Sequence, residues 1–326
     1  MKKIITFLFC FSCFITSNCQ IIRGTVKDIQ TKEPIEFASV YFSGTFAGKT
    51  TDQNGNFTLN VSKYSTMPLT ISAIGYYSSE VSVYSADSLL KIYLKPKVYE
   101  IEEIVIHADS IIKKREENLK LFKDAFLGTT ENSENCKIIN EADISFNYFS
   151  DEDTLKAFTV KPLLIENRSL GYNIIYYLDL FEYYKKTERI YFSGRILFDD
   201  SLTFKGRSQR YYDRQRKLTY LGSRMHLFRT LYSEDSTSTG FTIVDSTNRK
   251  LSFKNIVMQE TKGQKYIWNL GNLRIHYYQK FSFMNILTPK LYFDFNGYFD
   301  PQSVQWYGEL ANKRIADWLP YEYKLE

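Results

Sequence analysis

From Ile22 to Pro96, apolar residues recur at every second position. Ile22, Gly24 and Val26 point one way, and Arg23, Thr25 and Lys27 the other. The same alternation returns in Ala38-Val40-Phe42, Phe57-Leu59-Val61, Leu69-Ile71-Ala73, Val81-Val83 and Leu90-Ile92-Leu94. Turn signals separate these runs at Thr31–Pro34, Gly44, Asp52–Gly55 and Gly75. Short alternating strands at this spacing predict an antiparallel β-sandwich. Asn54-Gly55 supplies the positive φ that a tight hairpin needs. Next, Ile101 to Ile106 reads as one more strand. The period then changes: Ile112, Leu119, Phe122 and Phe126 share one helical face, with Ser110 as N-cap and Gly128 as C-terminal cap. Beyond Cys136 the two-residue period resumes in Ile144-Phe146-Tyr148, in Tyr172-Ile174-Tyr176-Leu178-Leu180, in Leu273-Ile275-Tyr277 and in Leu291-Phe293-Phe295, with Asn296-Gly297 as a turn. One helix interrupts, capped by Ser223 and carrying Met225, Phe228 and Tyr232 on a face. The pattern predicts a mainly β chain: a sandwich over 20–97, a connector strand and helix over 98–130, and a β-rich C-terminal domain over 131–326 with one or two helices.

The first residues break this pattern. Lys2 and Lys3 precede an apolar run from Ile4 to Ile15, followed by Thr16-Ser17-Asn18-Cys19. The run is shorter than the roughly 20 residues of a membrane helix, so residues 1–19 read as a cleaved secretory signal. A lipoprotein signal would keep Cys19 as its acylated first residue. Thr16 and Asn18 occupy the positions where that signal wants an aliphatic and a small residue, which favours soluble export. No later stretch is apolar enough to span a bilayer as a helix.

Composition narrows the chemistry. The chain has 326 residues, 44% hydrophobic and 24% charged, enough for packed cores and too apolar for wholesale disorder. Without Lys2 and Lys3, 40 basic residues face 37 acidic ones, a nearly balanced charge. Signal removal takes Cys10, Cys13 and Cys19, leaving Cys136, which reads as a small buried apolar residue unable to form an internal disulfide. His107, His226 and His276 stand in separate segments with no HExxH pattern, so neither a metal site nor a cofactor is expected.

The run Ile21–Val61, with Ile71–Val83 after it, resembles the carboxypeptidase-regulatory-like domain. Gly24-Thr25-Val26, Pro34, Ala38-Ser39-Val40, Thr50-Thr51-Asp52, Gly55-Asn56-Phe57 and Gly75-Tyr76 carry the likeness. The resemblance implies a transthyretin-like (prealbumin-like) sandwich of seven strands, found in Gram-negative envelopes before TonB-dependent transporters or surface proteins. It implies no activity, because the domain takes its name from a non-catalytic neighbour of peptidases. After Ser110 about 216 residues remain, too few for a transporter barrel with its plug. The segments NLKLFKDAFLGTT, CKIIN, IENRSLGYNIIYYLDLFEYY, LTYLGSRMHLFRTLYS and RIADWLPYEY resemble exported carboxypeptidase-like regulatory domain-containing proteins, for which no catalytic residues are assigned.

Two groups invite a functional reading. Arg207, Arg210, Arg214, Arg216, Lys217, Arg224 and Arg229 form a basic stretch with tyrosines interleaved; if it faces solvent, Arg207, Arg210, Arg214, Arg216 and Arg224 are the candidates for an anion or acidic-glycan surface, and otherwise it is a charge-balanced face. Export argues against nucleic acid. Asp179, Glu182, Glu166, Asp294 and Asp300 are candidate carboxylates for a glycosidase pair, whose separation spacing does not reveal. Trp268, Trp306 and Trp318 either stack on sugar rings or fill cores. The expected function is a non-enzymatic binding or scaffolding role at the periplasm, outer membrane or cell surface, accessory to glycan or nutrient uptake, with an envelope protein or polysaccharide as partner. The alternatives are a hydrolase in the C-terminal domain and a partner of a TonB-dependent transporter.

Overall fold

The computed structural model describes residues 20–85, 89–97, 108–149, 152–201, 207–235, 239–261 and 263–325, with side chains from residue 114 onward in the first helix. The expected signal over 1–19 and the connector strand Ile101–Ile106 lie outside the described residues.

The sandwich has seven strands: β1 (Ile21–Asp28), β2 (Ser39–Phe42), β3 (Gly48–Thr50), β4 (Asn56–Asn60), β5 (Leu69–Ser72), β6 (Ser79–Val81) and β7 (Leu89–Leu94). They form two sheets, ordered β4-β1-β7 and β3-β2-β5-β6. Pairing is antiparallel except between β1 and β7, which run parallel. The alternation selects the core: Ile22, Val26, Val40, Phe42, Leu69, Ile71 and Leu94 are fully buried between the sheets. Asn54-Gly55 does not close a hairpin. Gly55 has φ +73°, but β3 pairs with β2 while β4 pairs with β1, so the turn carries the chain between sheets. Asp52 organises it by accepting from the Asn54 and Asn56 amides at 2.9 and 2.8 Å. Val83, read as an inward position, is 90% exposed beyond the end of β6.

The second unit begins with α1 (Ala108–Leu127), continues through α2 (Glu131–Glu134), and builds a six-stranded sheet from β8 (Cys136–Ile138), β9 (Ser145–Phe149), β10 (Thr154–Phe158), β11 (Leu163–Asn167), β12 (Tyr172–Tyr184) and β13 (Arg189–Asp199). Helix α1 docks on the sheet by the face the sequence marks. Phe122 and Phe126 are fully buried, with Phe126 edge-on to Tyr176 at 4.9 Å and Phe122 tilted on Phe181 at 4.7 Å. Each buried ring contributes about 1.5–3 kcal/mol. The long strand β12 departs from its expected face. A bulge between Leu178 and Leu180 inserts Asp179, and the inward set changes from Tyr172, Ile174, Tyr176 and Leu178 to Phe181. Leu180 is therefore exposed. One extra residue exchanges the faces of everything after it.

Two helices follow, α3 (Gln209–Tyr220) and α4 (Arg224–Ser233). The expected cap is present, with Ser223 Oγ accepting from the His226 amide at 3.1 Å. Helix α3, which carries Arg210, Arg214 and Arg216 of the basic stretch, has no apolar stripe in its sequence. The chain then forms β14 (Phe241–Val244), β15 (Lys250–Leu251), α5 (Phe253–Ile256), β16 (Val257–Thr261), β17 (Gln264–Trp268), β18 (Asn272–Tyr277), β19 (Lys280–Ile286), β20 (Lys290–Asp294), β21 (Val304–Gly308) and α6 (Glu309–Asn312). Their sheets are ordered β15-β14-β18-β19-β21 and β16-β17-β20. Phe228, Ile275, Met284 and Phe293 are buried in this third core. The region 131–326 thus holds two hydrophobic cores rather than one. Its last residues return to the first of them: Ile315, Ala316 and Leu319 are buried beside Phe126 and Tyr176.

Candidate functional site

The sandwich is joined to the rest of the chain by backbone hydrogen bonds. The β2–β3 turn places the Gly44 amide 2.8 Å from Ile196 O and Thr45 O 3.0 Å from the Phe198 amide, extending strand contact onto β13. The Tyr321 amide donates to Gly44 O at 2.8 Å. Gly44 is required at this crossing: its φ is +83°, and a Cβ there would lie 2.6 Å from the Tyr321 ring. Glu322 Oε1 accepts from the Phe46 amide at 2.9 Å and from Tyr64 Oη at 2.7 Å. From the third core, Arg229 donates to the carbonyls of Asn296, Tyr321 and Tyr323 at 2.9, 3.0 and 2.7 Å. Asp294 Oδ2 accepts from Thr66 Oγ1 at 2.8 Å. The segment Ile315–Tyr323 therefore contacts all three cores.

This docking covers a sheet face that alternation alone would leave wet. Tyr41, Thr70 and Ser72 on β2 and β5 are fully buried, and Tyr41 stacks on Tyr177 at 5.9 Å. The bulge residue Asp179 belongs to the same contact. It lies 3.8 Å from Lys97 Nζ and 3.8 Å from Arg195, which in turn reaches Glu80 at 2.7 Å. Burial raises the Asp179 pKa against the pull of Lys97 and Arg195, and burial lowers that of Lys97. For Arg195, burial alone would weaken the charge, but Glu80 and Asp179 outweigh it and raise the pKa.

Where the three units meet they form an open cavity of about 750 Å³. The sandwich contributes Ser43, Gly44, Thr66, Met67 and Glu80; strand β13 contributes Phe192 to Ile196; the start of α4 contributes Ser223, Arg224 and Met225. Tyr298, Phe299, Asp300, Lys313, Asp317, Trp318 and Tyr321 complete the wall. That volume and mixed lining suit a small-molecule site. The carboxylates on the wall are held by structural partners. Asp300 caps the turn at Pro301–Ser303 through the Gln302 amide at 3.0 Å and Ser303 Oγ at 2.9 Å. Asp317 accepts from Thr130 Oγ1 and Asn132 Nδ2 at 2.9 and 2.8 Å, and burial raises its pKa.

The five candidate arginines of the basic stretch do not act as one free surface. Arg207 donates to Asn135 Oδ1 at 3.0 Å and also to Arg168 O. Arg216 donates to Leu170 O at 2.8 Å and lies 4.2 Å above the Tyr172 ring. Arg224 donates through Nε and Nη2 to Leu310 O at 3.1 and 2.8 Å and lines the cavity. Arg210 and Arg214 are exposed on α3. Of the five, the structure brings Arg224 to the cavity, together with Glu80, Arg195, Lys313, Tyr298 and Tyr321, which no motif links. The other candidate carboxylates are paired locally, Glu166 with Arg168 at 2.7 Å and Glu182 with Lys156 at 3.1 Å, while Asp294 binds the Asn296 and Tyr298 amides at 2.8 and 3.0 Å. Cys136 packs against the second core, and burial pushes its thiol up to about 12. His226 is buried, and burial holds it down to about 4, so it is uncharged at neutral pH. Trp268 is exposed, whereas Trp306 and Trp318 pack against cores.

Fold and junction together define a mainly β protein in which a seven-stranded sandwich is built onto two further β units. Residues 22–106 match the family model of the CarboxypepD_reg-like domain, and the sandwich is a domain of that type. No curated protein matches the chain. Among solved structures, it is similar to a 9R-lipoxygenase from Cyanothece at 9% identity and a TM-score of 0.19, covering 67% of this chain and 48% of the lipoxygenase. It is also similar to a Bacteroides fragilis protein of unknown function described as membrane-associated, at 12% identity and a TM-score of 0.18, covering 83% of this chain and 92% of that one. The chain thus spans about half the length of the lipoxygenase. Among the described residues no helix is long and apolar enough to cross a membrane.

Proposed function

We propose that this protein is a non-enzymatic binding protein of the bacterial cell envelope, which captures a small molecule in the cavity between its sandwich and its two C-terminal units. The cavity carries this reading: it has the volume of a small-molecule site, and its walls come from segments that only docking brings together. The CarboxypepD_reg-like domain, an envelope-associated family, supports the location. The wall carboxylates Asp300 and Asp317 are engaged in capping and in buried hydrogen bonds, which suits a wall better than acid–base work. The sandwich then serves as one jaw of the site.

The test is a thermal-shift screen of residues 20–326 against envelope-derived saccharides and peptides, with product analysis of every mixture. A saturable rise in melting temperature without product supports the proposal. Turnover of any compound overturns the non-enzymatic reading, and the absence of any shift overturns the binding reading.

A further inference from the structure

The chemistry of the cavity wall specifies a class of ligand, an inference that rests on the binding reading above. Arg224 opens α4 at the cavity. One edge of its guanidinium is fixed: Nε and Nη2 both converge on Leu310 O at 3.1 and 2.8 Å. One ring lies beneath it: the guanidinium carbon is over the Trp306 ring, 5.4 Å from its centroid. Nη1 has no protein partner among the described residues, and it is not among the polar atoms sealed from solvent. No carboxylate of the described residues lies within ion-pair distance of Arg224. Its charged neighbour is instead another cation, Arg314, and burial followed by that repulsion pulls Arg224 down to about 10. Lys313 also lines the cavity, donating to Thr219 O at 3.0 Å. A half-buried guanidinium that is held on one edge, in cation–π contact with an indole and with Nη1 unpartnered is a preorganised donor for an anion. Nearby, Phe192, Tyr298, Trp318 and Tyr321 supply apolar and aromatic wall.

We propose that the cavity binds a small organic anion whose carboxylate, sulfonate or phosphate group docks on Arg224 and whose apolar or ring body rests on the aromatic wall. Two naphthalene dyes separate this proposal from the binding reading beneath it. 8-Anilinonaphthalene-1-sulfonate carries the anion, and N-phenyl-1-naphthylamine is its neutral counterpart. The expected result is one tight sulfonate site per chain, with Trp-to-dye energy transfer, and weaker binding of the neutral dye. Arg224→Met should weaken the sulfonate about tenfold or more, the scale of one lost hydrogen bond to a charged group. It should leave the neutral dye unchanged, and Arg224→Lys should restore part of the difference. If Arg224→Met does not fold, competition on the unaltered protein decides: inorganic phosphate displaces the sulfonate dye and leaves the neutral dye bound. Equal binding of both dyes, or no effect of Arg224→Met or of phosphate on the sulfonate, overturns the anionic class and leaves the cavity as a neutral site. Failure of both dyes to bind the unaltered protein overturns the binding reading itself.

Discussion

Gly44→Ala tests the docking of the sandwich more directly than any core substitution. Gly44 sits at φ +83° with its amide on Ile196 O and its carbonyl on the Tyr321 amide. An alanine there meets two costs. The left-handed backbone costs about 1–2 kcal/mol for a residue with a Cβ. The new methyl would also lie 2.6 Å from the Tyr321 ring, which is packed edge-on against Tyr298 at 5.8 Å. Relief of that overlap requires the turn or the ring to move, at the expense of two backbone hydrogen bonds worth about 1 kcal/mol each. The sum is about 3–4 kcal/mol. Gly75→Ala isolates the first cost, because Gly75 has φ +81° and a Cβ there would meet nothing within 4 Å. Urea unfolding of both variants should show Gly75→Ala losing about 1–2 kcal/mol and Gly44→Ala about twice that. Limited proteolysis of Gly44→Ala should release the sandwich first. Equal losses in the two variants would mean that the junction adds nothing to the backbone cost and that the Tyr321 overlap carries no energy.

Three further outcomes follow from the same packing. Arg229→Met removes the donor to three carbonyls and should cost about 3 kcal/mol or more, read as a lowered urea midpoint at unchanged slope. His226 has a folded pKa of about 4 against 6.5, so its contribution to stability is complete above pH 6.5 and is lost as pH falls through about 4. His226→Gln, which can keep the acceptor for the Gly222 amide, should flatten the stability profile across that window in pH-dependent urea melts. The opposite sign applies to Asp294, whose pKa burial raises above 3.8: its contribution is present at acid pH and is lost as pH rises through the raised value. Asp294→Asn should therefore gain on the unaltered protein as pH climbs from below 3.8 towards neutrality, measured by the same melts.

Much of the fold is legible in the sequence because burial in a sandwich writes itself at period two. Ile22, Val40, Phe42 and Ile71 alternate with their neighbours and are buried. Phe122 and Phe126 mark the docked face of α1 in the same way, at helical spacing. Alternation fails where a second layer covers the outer face, as at Tyr41, Thr70 and Ser72, and where the Asp179 bulge exchanges the faces of β12. A charge inside the aromatic run Tyr172–Tyr184 is a signal that Asp179 needs a partner, but Lys97 stands far upstream in another unit and cannot be read from spacing. The cavity is less legible still. Arg224 stands in a visible basic stretch, yet its distinction from Arg207 and Arg216 comes from which carbonyls and which open space surround it. Those neighbours belong to segments far apart along the chain, and only packing joins them.

Amide hydrogen exchange at the junction reads directly whether the three units dock as one body around the cavity. The amides of Gly44, Phe198 and Tyr321, each donating across the junction, should exchange about as slowly as the core amides of β12. Exchange at those three positions as fast as in the exposed loops, with the core strands still protected, would contradict that docking.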